Sequence, residues 1–469
     1  MSGTNVTGER YMRVFAYWPM FLHQAPLRRV LVICYGVGVT AETGDDITSV
    51  ESIDVVEISR DVVAMSDVIY RTDEHPLRDP RVRLHIEDGR HFLQTMTERF
   101  DLITGEPPPP LTPGTVNLYT REYFQTAHDR LVDRGMLTYW LPVARRGEYD
   151  VKSIIRAFCD VFEDCSLWNV TPLDWVLIGT RQATGPVAEA RFDMAQQDSL
   201  ARTHLRETGV ELPQQIGATF LGDTPYLRGM TRNTLPLVDN FPQRLQPHPE
   251  KLSLAGSSES FARTEIEFIR GVIDPIRARE AFQQSEFVRR LWPEALANET
   301  LPYFEHQRTL NWVLLDGASP LRQIEELHAL LTKTPLHTLP LWAFGSDVVQ
   351  QQIAAAGDDG SFMVSYVLGV REMVARNYSG AAAFFAEAER RGLRTASSRP
   401  LLVHVLCLAG DLDAASRLAQ GQMPSVPDRR HFWRWLGAEF GVGPSAGERP
   451  PVNVGNADAV SGGNRRVWP

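Results

Sequence analysis

The stretch that most constrains the fold is residues 28–59, RRVLVICYGVGVTAETGDDITSVESIDVVEIS. Val30-Leu31-Val32-Ile33 is a continuous apolar run, the pattern of a strand buried on both faces of a parallel sheet. It runs into Cys34-Tyr35-Gly36-Val37-Gly38-Val39-Thr40-Ala41, a G-x-G-x-x-A turn in which Gly36 and Gly38 let the backbone approach a ligand and aim amide N–H groups at it. A second strand, Ile53-Asp54-Val55-Val56, stops at Glu57, 19 residues beyond Gly38. Nucleoside-binding sheets carry a carboxylate at about that spacing, where it accepts both ribose hydroxyls. A G-x-G string alone fits any tight turn. Strand, loop and spaced acid together imply a nucleoside cofactor and leave open whether it is of the nicotinamide or the S-adenosylmethionine kind.

A chain of 469 residues, 43% hydrophobic, can bury a large core and is expected to hold two or three domains. A net charge of −10 and a pI of about 5.7 argue against a nucleic-acid surface, which needs clustered Lys and Arg. The expected partner is a small molecule or a protein. Cys34, Cys159, Cys165 and Cys407 show no C-x-x-C spacing, so neither a metal site nor a disulfide framework is indicated, and a reducing cytoplasm is the default. No apolar run reaches the roughly 18 residues of a membrane span; Val14 to Leu22 is short and holds Pro19. No signal peptide is evident, so a soluble chain is expected.

Before the glycine loop, Tyr11 begins an amphipathic segment running to about His23, expected to cover the sheet edge with Tyr11 facing the ligand. After it, Arg60 to Tyr70 reads as a helix and Arg83-Leu84-His85-Ile86 as the third strand. That strand ends in Glu87-Asp88-Gly89-Arg90, at the edge where open α/β sheets bind ligands. Asp88 can accept from an adenine amino group while the N–H of Gly89 contacts the ring, or it can cap the helix His91 to Glu98. The fourth strand, Phe100 to Thr104, leads into Gly105-Glu106-Pro107-Pro108-Pro109-Pro110, a stiff loop that holds Glu106 opposite the glycine loop. A helix Arg121 to Leu131 capped by Thr120, a fifth strand Gly135 to Trp140, a helix Val151 to Phe162 and closing strands Ser166 to Trp168 and Trp175 to Ile178 complete a Rossmann-like α/β domain, residues 1–180.

The pieces VLVICYGVG, DVVEIS, DPRVRLHIEDGRHFL, FDLITGEPPPP, NLYTREYF and DRGMLTYWLP, in this order and spacing, resemble the spermidine synthase (polyamine aminopropyltransferase) family. They are most similar to its bacterial multidomain branch, in which membrane segments precede the catalytic unit. Those segments and a small β-hairpin region are not seen ahead of the sheet, which makes a shortened form the expectation. The resemblance implies an S-adenosylmethionine-methyltransferase-type sheet, decarboxylated S-adenosylmethionine or S-adenosylmethionine as cofactor, and a small-molecule amine or another acceptor. It places cofactor contacts on Gly36, Gly38, Glu57, Asp88 and Gly89, a substrate contact on Tyr11 and catalysis on Glu106. The family's D-x-x-D falls on Glu106 and Pro109, so one carboxylate is kept as Glu and the family's catalytic one is missing. An acid of the family's loop is Val37 here and a glutamine after the tyrosine is Met12, so a diamine meets fewer anionic groups.

Residues 181–307 read as an extended arm, 224–245, and connecting helices, Phe261 to Ile273 and Arg279 to Leu291. Residues 308–440 look helical, and NYSGA (377–381) recurs 34 residues later as DLDAA (411–415), which resembles a tetratricopeptide repeat able to bind a protein partner. Thr334-Pro335-Leu336-His337 mimics an ankyrin string without the rest of that repeat. His431 to Leu436 could form a last helix, and 441–469 are expected to be disordered. Two further readings compete with a transferase domain joined to helical repeats: a non-catalytic scaffold on the same fold, favoured by Pro109, and a dehydrogenase, which leaves Asp88 unexplained. Methyl transfer to another acceptor stays open.

Overall fold

A computed structural model describes residues 6–305, apart from 71–74, 111–113, 144–146, 183–184, 194–198, 208–209, 211, 241–251, 254–259 and 262. It also describes 362–420 apart from 375 and 394–397, and isolated residues between 307 and 443. The expectations for 308–361, for the ankyrin-like string and for the tail beyond 443 lie outside the described residues.

The glycine-loop strand is β1 (Arg29–Ile33), four of its five residues buried, and α1 (Val6–Leu22) precedes it. There follow α2 (Val39–Asp45), β2 (Ser52–Glu57), α3 (Arg60–Ile69), β3 (Val82–Ile86), α4 (Gly89–Thr95), β4 (Phe100–Gly105), α5 (Arg121–Asp129), β5 (Leu131–Pro142) and α6 (Glu148–Cys159). A hairpin, β6 (Ser166–Thr171) and β7 (Asp174–Thr180), closes the series. The sheet order is β3-β2-β1-β4-β5-β7-β6-β8, where β8 is Phe220–Asp223. The strands from β3 to β5 are parallel; β7 runs antiparallel between β5 and β6. The order reverses between β1 and β4, the kind of topological switch point at whose carboxyl edge open α/β sheets bind ligands.

The N-terminal segment differs from its reading. The α1 helix lies across the face of β4, β5 and β6, beside α2, and from Arg10 to His23 every residue except Tyr11 is buried. It is therefore enclosed rather than an edge cover, and its polar groups are matched internally. Buried Arg13 pairs with Glu42 at 3.1 Å and Asp46 at 3.5 Å, and the Tyr17 hydroxyl donates to Asp46 at 2.7 Å. Pro19 has no N–H for the carbonyl of Phe15, and the Thr138 hydroxyl on β5 donates to that carbonyl at 2.8 Å.

The cysteine reading is also corrected, since Cys159 and Cys165 form a disulfide. After α6 the chain turns back on itself, with Phe162 N–H donating to Phe158 O and Cys165 N–H to Phe162 O, and the two Cα atoms come within 5.3 Å. A spacing of six, unremarkable in sequence, becomes bridgeable only through this turn.

The segment read as an arm begins as a helix, Thr224–Met230, and then extends over the first domain. Leu237 N–H donates to Ser153 O on α6, and Asp239 pairs with Arg90 through both carboxylate oxygens and accepts from the Thr120 hydroxyl at 2.7 Å. Toward the C-terminus, helices Phe362–Val374 and Tyr378–Arg390 form one antiparallel pair, and Ser398–Leu408 and Leu412–Ala419 another. Asn377 and Asp411, 34 residues apart, each cap the second helix of a pair, accepting from Gly380 N–H and Ala414 N–H. No helix among the described residues is long and apolar enough to cross a membrane.

Candidate functional site

The residues singled out from sequence lie on both sides of the switch point. On the β1–β3 side, Gly36 (φ 57°) and Gly38 (φ 88°) adopt left-handed backbone that suits glycine. A Cβ on Gly38 would fall 2.5 Å from the Tyr35 hydroxyl, so glycine there also answers close packing. Cys34 holds φ 69° as well, an unusual conformation for a residue with a Cβ.

Glu57 is buried at the end of β2, and its two carboxylate oxygens accept from Tyr35 N–H (3.0 Å) and Ser59 N–H (2.9 Å). It thus braces the glycine loop, and each oxygen keeps a lone pair for a further donor. Asp88 is exposed at the end of β3 and caps α4 by accepting from His91 N–H at 2.8 Å. At Gly89 a Cβ would lie 2.6 Å from Ile33 Cγ2, so glycine is what lets α4 approach β1 closely. The cap and the close approach account for Asp88 and Gly89 structurally, and neither uses the remaining lone pairs of the Asp88 carboxylate.

On the other side, Glu106 follows β4, with its N–H donating to Ile33 O at 3.3 Å. The stiff loop after it is held by the Tyr119 hydroxyl, which donates to Pro107 O at 2.9 Å. Burial raises the Glu106 carboxyl to about 8; a hydrogen bond with Thr40 pulls it back, and the charge of Asp174 pushes it up. The Thr40 hydroxyl lies against both Glu106 Oε1 and, at 3.2 Å, Met12 O. Its single proton cannot serve both at once, and when it goes to Glu106 Oε1 it favours the ionised carboxyl.

Above Glu106, Tyr11 stacks on Trp140 (centroids 6.2 Å, planes 23° apart). Burial, then the charges of Glu106 and Asp174, raise the Tyr11 phenol well above its ordinary value, so it stays a donor. Asp174 opens β7: its Oδ1 accepts from Trp140 Nε1–H at 3.3 Å and its Oδ2 from the Thr171 hydroxyl at 2.6 Å. Register explains the convergence. Gly105 pairs with Tyr139, Trp140 with Val176 and Pro142 with Asp174, which brings the ends of β4, β5 and β7 to one edge.

Thr40, Trp140 and Asp174 were not singled out from sequence. Asp174 sits in a turn after Pro172, where an acid is commonplace, and only strand pairing brings it to the edge occupied by Glu106. Met12 and Val37 belong to one small apolar cluster with Val39, against which Tyr11 and Ile69 pack. Among the described residues no group of His, Cys, Asp and Glu is arranged to hold a metal ion.

The strand order, with an antiparallel β7 inserted between β5 and β6, defines a methyltransferase-like α/β domain. Residues 8–172 match the spermine/spermidine synthase domain model. A polyamine aminopropyltransferase of Clostridium perfringens is 33% identical over 128 residues, which cover 26% of this chain and 45% of that protein. Polyamine aminopropyltransferase 1 of Pseudomonas aeruginosa is 34% identical over 128 residues, 27% of this chain and 44% of that one. The chain spans less than half the length of these curated relatives. Among solved structures, spermidine synthase from Thermotoga maritima aligns at 20% identity and TM-score 0.36 over 48% of this chain and 75% of its own. Human methyltransferase-like protein 13 in complex with SAH aligns at 15% and 0.34 over 42% and 92%.

Proposed function

We propose that this domain is a transferase that binds an adenosyl-sulfonium cofactor along the ends of β1, β2 and β3 and transfers a group from it to an amine. Gly36 and Gly38 bring the loop backbone up to the cofactor, Glu57 accepts from the ribose hydroxyls, and Asp88 with the Gly89 N–H reads the base. The residues present fit such a group: the loop is shaped by left-handed glycines, and Glu57 and Asp88 keep acceptor capacity at neighbouring strand ends. The cofactor, when bound, supplies an electrophilic carbon on sulfur. Glu106 accepts the proton lost by the attacking nitrogen, and Tyr11 and Trp140 form the wall along which the acceptor lies.

The observation that carries the reading is Glu106, a carboxyl raised by burial to about 8 beside the glycine-loop helix, where a base able to work near neutral pH is needed. The curated relatives, aminopropyltransferases by name, favour decarboxylated S-adenosylmethionine as donor. Pro109 and the Met12–Val37–Val39 cluster favour turnover of diamines different from, and slower than, that of those relatives. Calorimetric titration with S-adenosylmethionine, its decarboxylated form, methylthioadenosine and NAD tests the reading. Binding of the adenosyl compounds and not NAD is expected; binding of NAD alone, or of none, overturns it.

A further inference from the structure

The arm that follows the α/β domain comes back to the edge where the adenosyl contacts are proposed. We propose that Asp239 is a positioning residue of the adenosyl site: it holds Arg90, and through Arg90 the first turn of α4, from which Asp88 and Gly89 meet the cofactor. This rests on the adenosyl-cofactor reading above. It puts part of the site's support 149 residues from Arg90 and outside residues 8–172, so the working unit is the α/β domain together with its arm.

Arg90 is the second residue of α4, directly after Gly89. Its guanidinium meets the Asp239 carboxylate with both terminal nitrogens, Nη1 to Oδ1 at 2.8 Å and Nη2 to Oδ2, a planar two-bond geometry that fixes direction as well as distance. Nη1 also donates to Asn117 O at 2.9 Å, in the single turn Thr115–Leu118 that leads from the proline loop into α5. Asp239 is held in turn on α5. Its Oδ1 accepts from the hydroxyl of the N-cap Thr120 at 2.7 Å, and its N–H donates to Glu122 Oε2 at 3.1 Å. The arm's backbone is pinned two residues earlier, where Leu237 O accepts from Arg121 N–H at 2.9 Å and Leu237 N–H donates to Ser153 O at 3.2 Å. One carboxylate thus links the starts of α4 and α5, which follow β3 and the Glu106 loop on opposite sides of the switch point. The pair is partly buried, and the charges of Glu122 and Asp88 also act on Arg90, which puts the guanidinium within electrostatic range of the proposed base contact. Without Asp239 the guanidinium keeps neutral acceptors, Asn117 O and the Thr120 hydroxyl, and the turn that carries Asp88 loses its two-bond anchor.

An ion pair that merely fastened the arm would change stability and leave affinity alone, because a protein well below its melting temperature stays folded through a modest loss of stability. The test titrates methylthioadenosine calorimetrically into the full chain, well below that temperature, for wild type, Asp239→Asn, Asp239→Glu, Arg90→Lys and the double variant Arg90→Lys with Asp239→Asn. Asp239→Asn should weaken binding by about fivefold or more, and Asp239→Glu, which restores the carboxylate, should stay within about twofold of wild type. Arg90→Lys keeps the charge and loses the fork, and should weaken binding by about threefold or more. The double variant should fall no more than about twofold below the poorer single one, because both substitutions act through one pair. An unchanged affinity in Asp239→Asn, a Glu variant no better than the Asn variant, or losses that multiply in the double variant overturns the proposal; if the Asn variant does not fold, Arg90→Lys and Asp239→Glu decide. A wild type that binds no methylthioadenosine removes the adenosyl reading and this inference with it, whereas wild-type binding that Asp239→Asn leaves unchanged removes this inference alone.

Discussion

The hydroxyl of Thr138 donates to the carbonyl of Phe15, the acceptor that Pro19 leaves without its helical N–H. One hydrogen bond thus joins the middle of β5 to the middle of α1 and fixes the helix that carries Tyr11 over the end of the sheet. Arg13 and Tyr17, bound to Glu42 on α2 and to Asp46 at its C-terminal cap, secure the same helix from its other side.

This makes the stability of α1 depend on a pair of residues far apart in sequence. Thr138→Val keeps the shape, leaves a buried carbonyl unpaired, and should destabilise the protein by about 1–3 kcal/mol in denaturant unfolding. In a Pro19→Ala background the restored amide can serve Phe15, so the same substitution should cost clearly less. Additive losses across the double-mutant cycle would show that the carbonyl is not shared in this way.

The disulfide predicts a thiol count. Denatured, unreduced protein should show two reactive thiols, Cys34 and Cys407, and four after reduction. Because the bridged loop is short, reduction should lower stability by only about 2 kcal/mol on the chain-entropy estimate. Four thiols before reduction in protein produced under oxidising conditions would remove the bond.

Much of this was legible in sequence because it is carried by local pattern. The strands β1 to β7 stand where apolar runs and turn residues put them, and Asp88 and Thr120 are N-caps of the helices that follow. What was not legible depends on distant partners. The all-round burial of α1 was hidden because Arg13 and Tyr17 look solvent-facing until Glu42 and Asp46 are placed beside them. β8 is four residues that become a strand only by pairing with β6. Asp174 and Trp140 were missed for the same reason: an acid in a turn and an aromatic in a strand acquire meaning only from the register that brings them beside Glu106.

Stability should fall as pH rises across the neutral range. Two carboxyls, Glu106 and Asp45, are raised to about 8; burial is the main cause in both, followed at Asp45 by the charge of Asp79. Their folded values lie above their ordinary ones, so the stability they contribute is complete below about pH 4 and is lost as pH climbs through about 8. The slope is bounded by about 1.4 kcal/mol per pH unit for each group. Melting temperatures measured from pH 5 to pH 9 should decline, and Asp45→Asn and Glu106→Gln should each flatten the decline. A melting temperature that rises over this range would reverse the assignment.

The same property of Glu106 sets the pH dependence of any transfer reaction. As a base it works only when ionised, and burial keeps it largely protonated at pH 7, so kcat/KM should rise with pH and level off above about 8. Glu106→Gln removes the proton acceptor while keeping a partner for Thr40, and should lower the transfer rate by about 10²–10⁴-fold and abolish the pH-dependent rise. Methylthioadenosine affinity should stay within about threefold of wild type, because the adenosyl contacts proposed above lie on β1 to β3, across the switch point from Glu106. The measurement is spermidine formed from decarboxylated S-adenosylmethionine and putrescine, followed from pH 6 to pH 9 in both proteins. A Gln variant as fast as wild type, or one with the same pH profile, would move the base elsewhere, and Asp174 would be the next carboxylate to replace.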